Sequence, residues 1–203
     1  MFVVQIPTLT IEFVLLQISV AFSPGLIIAL VVNESVQKGR INGLQVAYGA
    51  ATGAIGITVV TATVITYIFS FIPEILTFIY IVGIIYIIYK GIRTLLDDGA
   101  NPTILHSASF SSGLKINLAN PKMWVFYLSV LPLFVDGEVD MFSSLIFLGV
   151  ITILINLFAD ISYALLSSYL FNNSSLKVKR YINIISGICL ISVGVYLFFS
   201  RFV

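Results

Sequence analysis

Three clusters of residues in this chain have the types and spacing to do chemistry. The first is Asn156, Asp160 and Tyr163, an acid and two polar partners inside the apolar run Ile155 to Tyr163. Their offsets of i, i+4 and i+7 put them on one face of a helix. The second is Ser23-Pro24-Gly25 and the third is Asn120-Pro121-Lys122. In both, a good helix cap precedes a proline. Proline inside a helix removes a backbone hydrogen bond, and the residue before it is pushed out of helical geometry. Ser and Asn nevertheless cap helices well, and Pro suits the first helical position. Each cluster therefore predicts a break followed by a new half-helix. One runs from Pro24 to about Gln37. The other runs from Pro121 to about Leu131 or Val135, with Pro132 bending its end.

A helix start presents unpaired N–H groups and about half a positive charge. Two such starts facing one place would hold an anion such as a carboxylate, and Lys122 would add a full charge. Asp160 then has two functional roles open to it: pairing with a substrate ammonium, or carrying a coupling proton. The structural alternative is an ion pair with Lys122 or Lys115. Gln17 and Asn117 lie before the two breaks, where each either lines a cavity or bonds a neighbouring helix.

The elements that must position these residues are membrane helices. Of 203 residues 59% are hydrophobic and only 9% charged, against roughly 25% charge in a soluble domain. Mean hydropathy is +1.10. This excludes a disordered tail, a nucleic-acid binder and a cytosolic enzyme. A span needs about 20 apolar residues, and six stretches qualify: Thr8 to Val32, within Ile41 to Pro73, Ile75 to Leu95, within Phe110 to Val135, within Met141 to Phe171, and Tyr181 to Phe199. Backbone groups in lipid must bond within their own segment, so the spans are helical. A buried Asp costs about 2.5–3.5 kcal/mol at a span's centre, so Asp160 should face the bundle interior. The polar stretch Leu96 to Ser109, with Asp97, Asp98, Gly99, Asn101 and Pro102, reads as a loop. Met1 to Ile11 carries no cation and no cleavage pattern follows it, so a cleavable signal peptide is not expected.

With six spans, all of the 10 Lys and Arg residues except Arg201 fall on one side. Glu12, Glu74, Asp136, Glu138 and Asp140 collect on the other. Basic loops stay in the cytoplasm, so both termini are expected outside. The broken first and fourth spans then head two three-helix halves, residues 1–95 and 110–203, joined by a linker at 96–109. Three is odd, so the halves are inverted, and matched broken helices in inverted halves point to a transporter's binding site. The fold class expected is an all-α integral membrane protein with two inverted three-helix repeats.

At these residues the sequence resembles the LysE/RhtB family of amino-acid exporters. The resemblance covers most of the chain. It rests on Phe22-Ser23-Pro24-Gly25, on Gly39-Arg40 with Gly43-Leu44, and on Gly49 and Gly53. More specific is Phe110, Gly113-Leu114, Asn117-Leu118 and Asn120-Pro121-Lys122, leading to Phe126, Leu131-Pro132 and Phe134-Val135. The resemblance implies six spans in the cytoplasmic membrane, export of a small amino acid or derivative driven by protons or another coupling ion, and a homodimer. Two departures stand out: Leu26 replaces a usual second proline, and Ala54 replaces a frequent acid. Export of a dibasic substrate is therefore in doubt.

The expected substrate site comprises Ser23, Pro24, Gly25, Asn117, Asn120, Pro121, Lys122, Asn156, Asp160 and Tyr163, with Asp160 also the proton carrier. No cofactor, metal or nucleic-acid partner is expected. The single Cys189 and single His106 cannot form a disulfide, a thiol relay or a soft-metal site. No glycine-rich loop ending in Gly-Lys-Ser/Thr is present, which leaves gradient coupling as the expected drive. The alternative reading is a divalent-cation transporter of the same architecture, which needs several oxygen or sulfur ligands at membrane depth. A membrane enzyme lacks a nucleophile–base pair, and a scaffold would not explain two matched breaks and a buried acid.

Overall fold

The computed structural model describes residues 9–23, 25–71, 75–96, 109–135, 140–170 and 175–202. Pro24, Glu74, Asp136, Glu138 and the linker residues with His106 lie outside them. So do the side chains of Lys177, Lys179 and Arg201.

The described residues are helical almost throughout. In order they form α1 (Ile11–Phe22), α2 (Leu26–Lys38), α3 (Arg40–Phe71), α4 (Ile75–Leu96), α5 (Phe110–Ala119), α6 (Pro121–Val125), α7 (Met141–Leu170) and α8 (Ser175–Phe202). Between α6 and α7 the chain loosens into a π-helical stretch, Phe126–Val130, and then a 3₁₀ turn, Leu131–Phe134, that contains Pro132. Four helices (α3, α4, α7 and α8) are long and apolar enough to cross a membrane, or five spans if α1 and α2 are one span bent by 49°. Length alone gives four or five rather than six because two of the expected spans are broken. Residues 110–134 divide into α5 and the shorter apolar stretch Pro121–Phe134.

The outward faces are apolar, with Phe78, Ile85, Leu154, Phe158 and Ile185 all exposed. That surface suits lipid and not water. Inside, the largest apolar cluster contains Phe13, Ile57, Tyr127, Leu145 and Leu148, and the rings of Phe13 and Phe134 meet edge-on at 5.2 Å. Smaller clusters form around Leu30, Val31 and Val46, and around Ile28, Val32 and Tyr163.

Glycines set the closest helix crossings. A Cβ on Gly113 of α5 would collide with the Val46 carbonyl of α3, and one on Gly49 would collide with the Phe110 carbonyl. Gly53 faces Leu114 and Asn117 of α5 in the same seam. The Gly49-x-x-x-Gly53 pair thus serves packing within one chain, a role that small residues play where lipid supplies no hydrophobic drive. Gly39, at φ +94°, makes the tight connection between α2 and α3 that an L side chain resists.

Candidate functional site

The α3–α5 seam, the two breaks and α7 converge on a cavity of about 80 Å³. One water needs roughly 10–15 Å³ on this measure, so the space suits a solute of several heavy atoms. Val20, Met123 and Phe126 wall it on the side of the large cluster, and Ile27, Ile28 and Leu157 wall it on the side of the smaller ones.

The break between α5 and α6 is built as the sequence predicts. Asn120 is extended, and its side chain accepts from the Lys122 backbone N–H at 3.1 Å. Pro121 takes the first helical position, is exposed and stays off the cavity wall. The Leu118 carbonyl left open by the break accepts from the Trp124 indole at 2.7 Å. Replacing Asn120 by Ala should cost about 1 kcal/mol, the worth of a cap, and should appear as a lowered Tm for the detergent-solubilised protein.

The break between α1 and α2 differs from the expectation. Ser23 closes α1 and does not open α2: its backbone N–H bonds Ser19 O, and its hydroxyl lies 3.3 Å from that of Thr94 on α4. The helix restarts at Leu26, two residues after the expected start at Pro24, with Gly25 as a cap that offers no side chain. The Phe22 carbonyl accepts from the Tyr163 hydroxyl at 2.8 Å. Both breaks therefore hand a freed carbonyl to an aromatic donor, as a chain in lipid must. Of the two helices that restart after the breaks, α2 leaves its first turn without a side-chain cap and α6 does not. At the second break Asn120 caps the first turn of the helical stretch Pro121–Phe134, and Lys122 lines the cavity.

Ser23, Gly25, Asn117, Asn120, Lys122, Asn156 and Asp160 line the cavity together. Tyr163 does not: it points at the α1 terminus and packs against the Phe22 ring at 6.3 Å. Pro24 lies outside the described residues. Gln17 does both things open to it, lining the cavity while its Nε2 donates to Asn156 Oδ1 at 3.0 Å. Asn117 Nδ2 donates to the Ala50 carbonyl at 2.6 Å across the glycine seam. Each of these two amides leaves its oxygen buried without a partner (Gln17 Oε1 and Asn117 Oδ1).

Asp160 is 8% exposed. Among the described residues it forms no ion pair, with Lys122, Lys115 or any other cation; the ion pair found is Lys38–Glu34 at 3.0 Å. Lys122 reaches the opposite wall, where its Nζ would stand 3.6 Å from a Cβ at Gly25. The described residues contain no group of three or more His, Cys, Asp or Glu placed to hold a metal ion.

Sequence reasoning missed two features. Glu34, fully buried on α2 and paired with Lys38, drew no reading from the sequence. Thr94 of α4 drew no reading either, although its hydroxyl meets that of Ser23 at the first break.

Apolar helices around a small cavity that holds an acid and an amine define a multi-pass membrane protein built to lodge a solute. The chain belongs to the LysE type translocator family, a family of transporters and not enzymes, whose model matches residues 18–201. It is also 28% identical over 188 residues to an uncharacterized membrane protein, slr1627, of Synechocystis sp. (strain ATCC 27184 / PCC 6803 / Kazusa), covering 87% of this chain and 89% of that one. No solved structure matches.

Proposed function

We propose that the protein exports a small amino acid or amino-acid derivative across the cytoplasmic membrane by proton-coupled alternating access. One observation carries this reading. Lys122 and Asp160 border the same cavity of about 80 Å³ and do not pair with each other. A buried charge without a counter-charge is costly. A zwitterion supplies both at once, its carboxylate to Lys122 and the uncapped start of α2, its ammonium to Asp160. The buried oxygens of Gln17 and Asn117 are further acceptors for the ammonium. A divalent cation as cargo would have to share this small space with the Lys122 amine.

We further read α1–α2 and residues 110–134 as two broken spans, which gives six spans in inverted halves with both termini outside. The cavity at which both breaks meet supports this. So does the large apolar cluster. Phe13, Met141 and Leu145 precede the cavity residues along α1 and α7, so the cluster would close the outer side. The halves would rock about the site to open it to each face in turn.

Transport by the purified protein in proteoliposomes tests the reading. A panel of labelled amino acids and divalent metal ions is offered with and without an imposed pH gradient. Counterflow of a small amino acid, accelerated by the gradient, is the expected result. Flux of a metal ion without any amino acid would establish the cation reading in its place.

A further inference from the structure

Two side chains that border the cavity each hold a buried acceptor with no partner among the described residues: Gln17 Oε1 and Asn117 Oδ1. We infer that Gln17 and Asn117 are specificity-determining residues: with the Asp160 carboxylate they count the N–H groups on the solute's amine and reject N-alkylated analogues. This rests on the proposed amino-acid reading and deepens it.

Three observations converge. First, both amides are oriented by their nitrogens. Asn117 Nδ2 donates at 2.6 Å to the Ala50 carbonyl, which can only accept, so the oxygen is the end left over. Gln17 Nε2 donates to Asn156 Oδ1 at 3.0 Å, and two amides joined by one such bond leave one oxygen over. Second, Gln17 is fully buried and Asn117 is 3% exposed. An acceptor left unmet at such depth weakens an equilibrium by about tenfold to a hundredfold. Third, the acceptors come from three helices around one cavity, Gln17 from α1, Asn117 from α5 and Asp160 from α7. A primary ammonium carries three N–H donors and no acceptor, one donor for each group. Water can meet the oxygens before a solute enters, but a solute that displaces it must replace its bonds. An N-methyl amino acid keeps the charge and brings only two donors, so one acceptor stays buried and unmet. A site built to bond an N–H rejects an analogue lacking it more strongly than a pocket rejects an added methyl group.

The test sets two isomers against each other. For an amino acid from the panel that the wild-type protein carries in proteoliposomes, KM is measured for its N-methyl and its α-methyl derivatives. The two have the same atoms and charge, and differ by one N–H. The wild type should favour the α-methyl isomer by about tenfold or more, the scale of one unmet buried acceptor. Gln17→Met combined with Asn156→Leu replaces both bonded amides by apolar side chains of like shape. That exchange leaves no buried polar end unmet, so the fold should tolerate it, and it removes one acceptor from the cavity. In the double variant KM should rise for the α-methyl isomer, and the preference should fall towards parity. Where the double variant does not reach the folded state, Asn117→Leu reads the same quantity at the second oxygen. A wild type with equal KM for the two isomers would overturn the inference and leave the amino-acid reading standing. A folded variant that keeps the whole preference would assign it to shape and overturn the role of the amide it lacks. Carriage of no amino acid at all would remove the proposed reading, and this inference with it.

Discussion

Asp160→Asn should abolish gradient-driven export while leaving the folded protein as stable as before, or more so. The substitution keeps the size and shape of the side chain, so the cavity survives. What it removes is a charge that is 8% exposed and makes no ion pair. An uncompensated buried charge burdens the folded state, so neutralising it should not lower Tm. The proposed pairing with a substrate ammonium is a different matter: losing one member of a buried charge pair costs about 2–5 kcal/mol, or roughly 30-fold to several thousand-fold in apparent affinity or rate. Activity and stability are thus expected to move apart. Undiminished export by Asp160→Asn at a normal protein level would remove Asp160 from the mechanism. A large fall in Tm together with activity would make it a structural residue.

Gly113→Val should do the reverse and destroy the folded state. A Cβ at Gly113 would overlap the Val46 carbonyl, which is backbone and cannot rotate away. Opening the α3–α5 seam to admit a branched side chain also pulls Asn117 from the Ala50 carbonyl, a hydrogen bond of 2.6 Å. Overpacking costs about 1–3 kcal/mol in well-packed cores. With the lost hydrogen bond added, the total reaches about 4 kcal/mol, a large part of a typical stability. Size-exclusion chromatography of detergent extracts should show Gly113→Val aggregated or absent. Gly56→Ala is the matched control, since its Cβ would meet only Leu118 Cδ2 at 3.7 Å. Ala also favours helix over Gly by about 1 kcal/mol, so that variant should remain monodisperse. Collapse of both would mean that helix glycines matter here for reasons other than the seam.

The parts of the site that follow from local rules were legible in the sequence. The break at Asn120-Pro121 needs only a cap and a proline, and it forms where those two residues stand. Asn156 and Asp160 share a face by helical spacing alone, and both border the cavity. Tyr163 obeys the same spacing, yet its longer side chain finds the open carbonyl at Phe22. That carbonyl exists only because α1 ends there, which no periodicity on α7 reveals. Ser23 has the chemistry of a cap but sits before the turn and not at its end. The helix resumes at Leu26, so Gly25 takes the cap position. The span count shows the same limit. Hydropathy marks apolar length, but a helix split by a capped proline no longer has the length of a span.

The account turns on a zwitterion lying between Lys122 and Asp160, and solid-state NMR distances measure that arrangement directly. The protein, with isotope-labelled Lys and Asp, is reconstituted in bilayers and saturated with a labelled amino acid that it transports. The account predicts the substrate's carboxyl carbon within about 4 Å of Lys122 Nζ and its amino nitrogen within about 4 Å of the Asp160 carboxyl carbon, as direct charge-assisted hydrogen bonds require. A bound substrate with its two ends reversed, or with neither end near these residues, would contradict it.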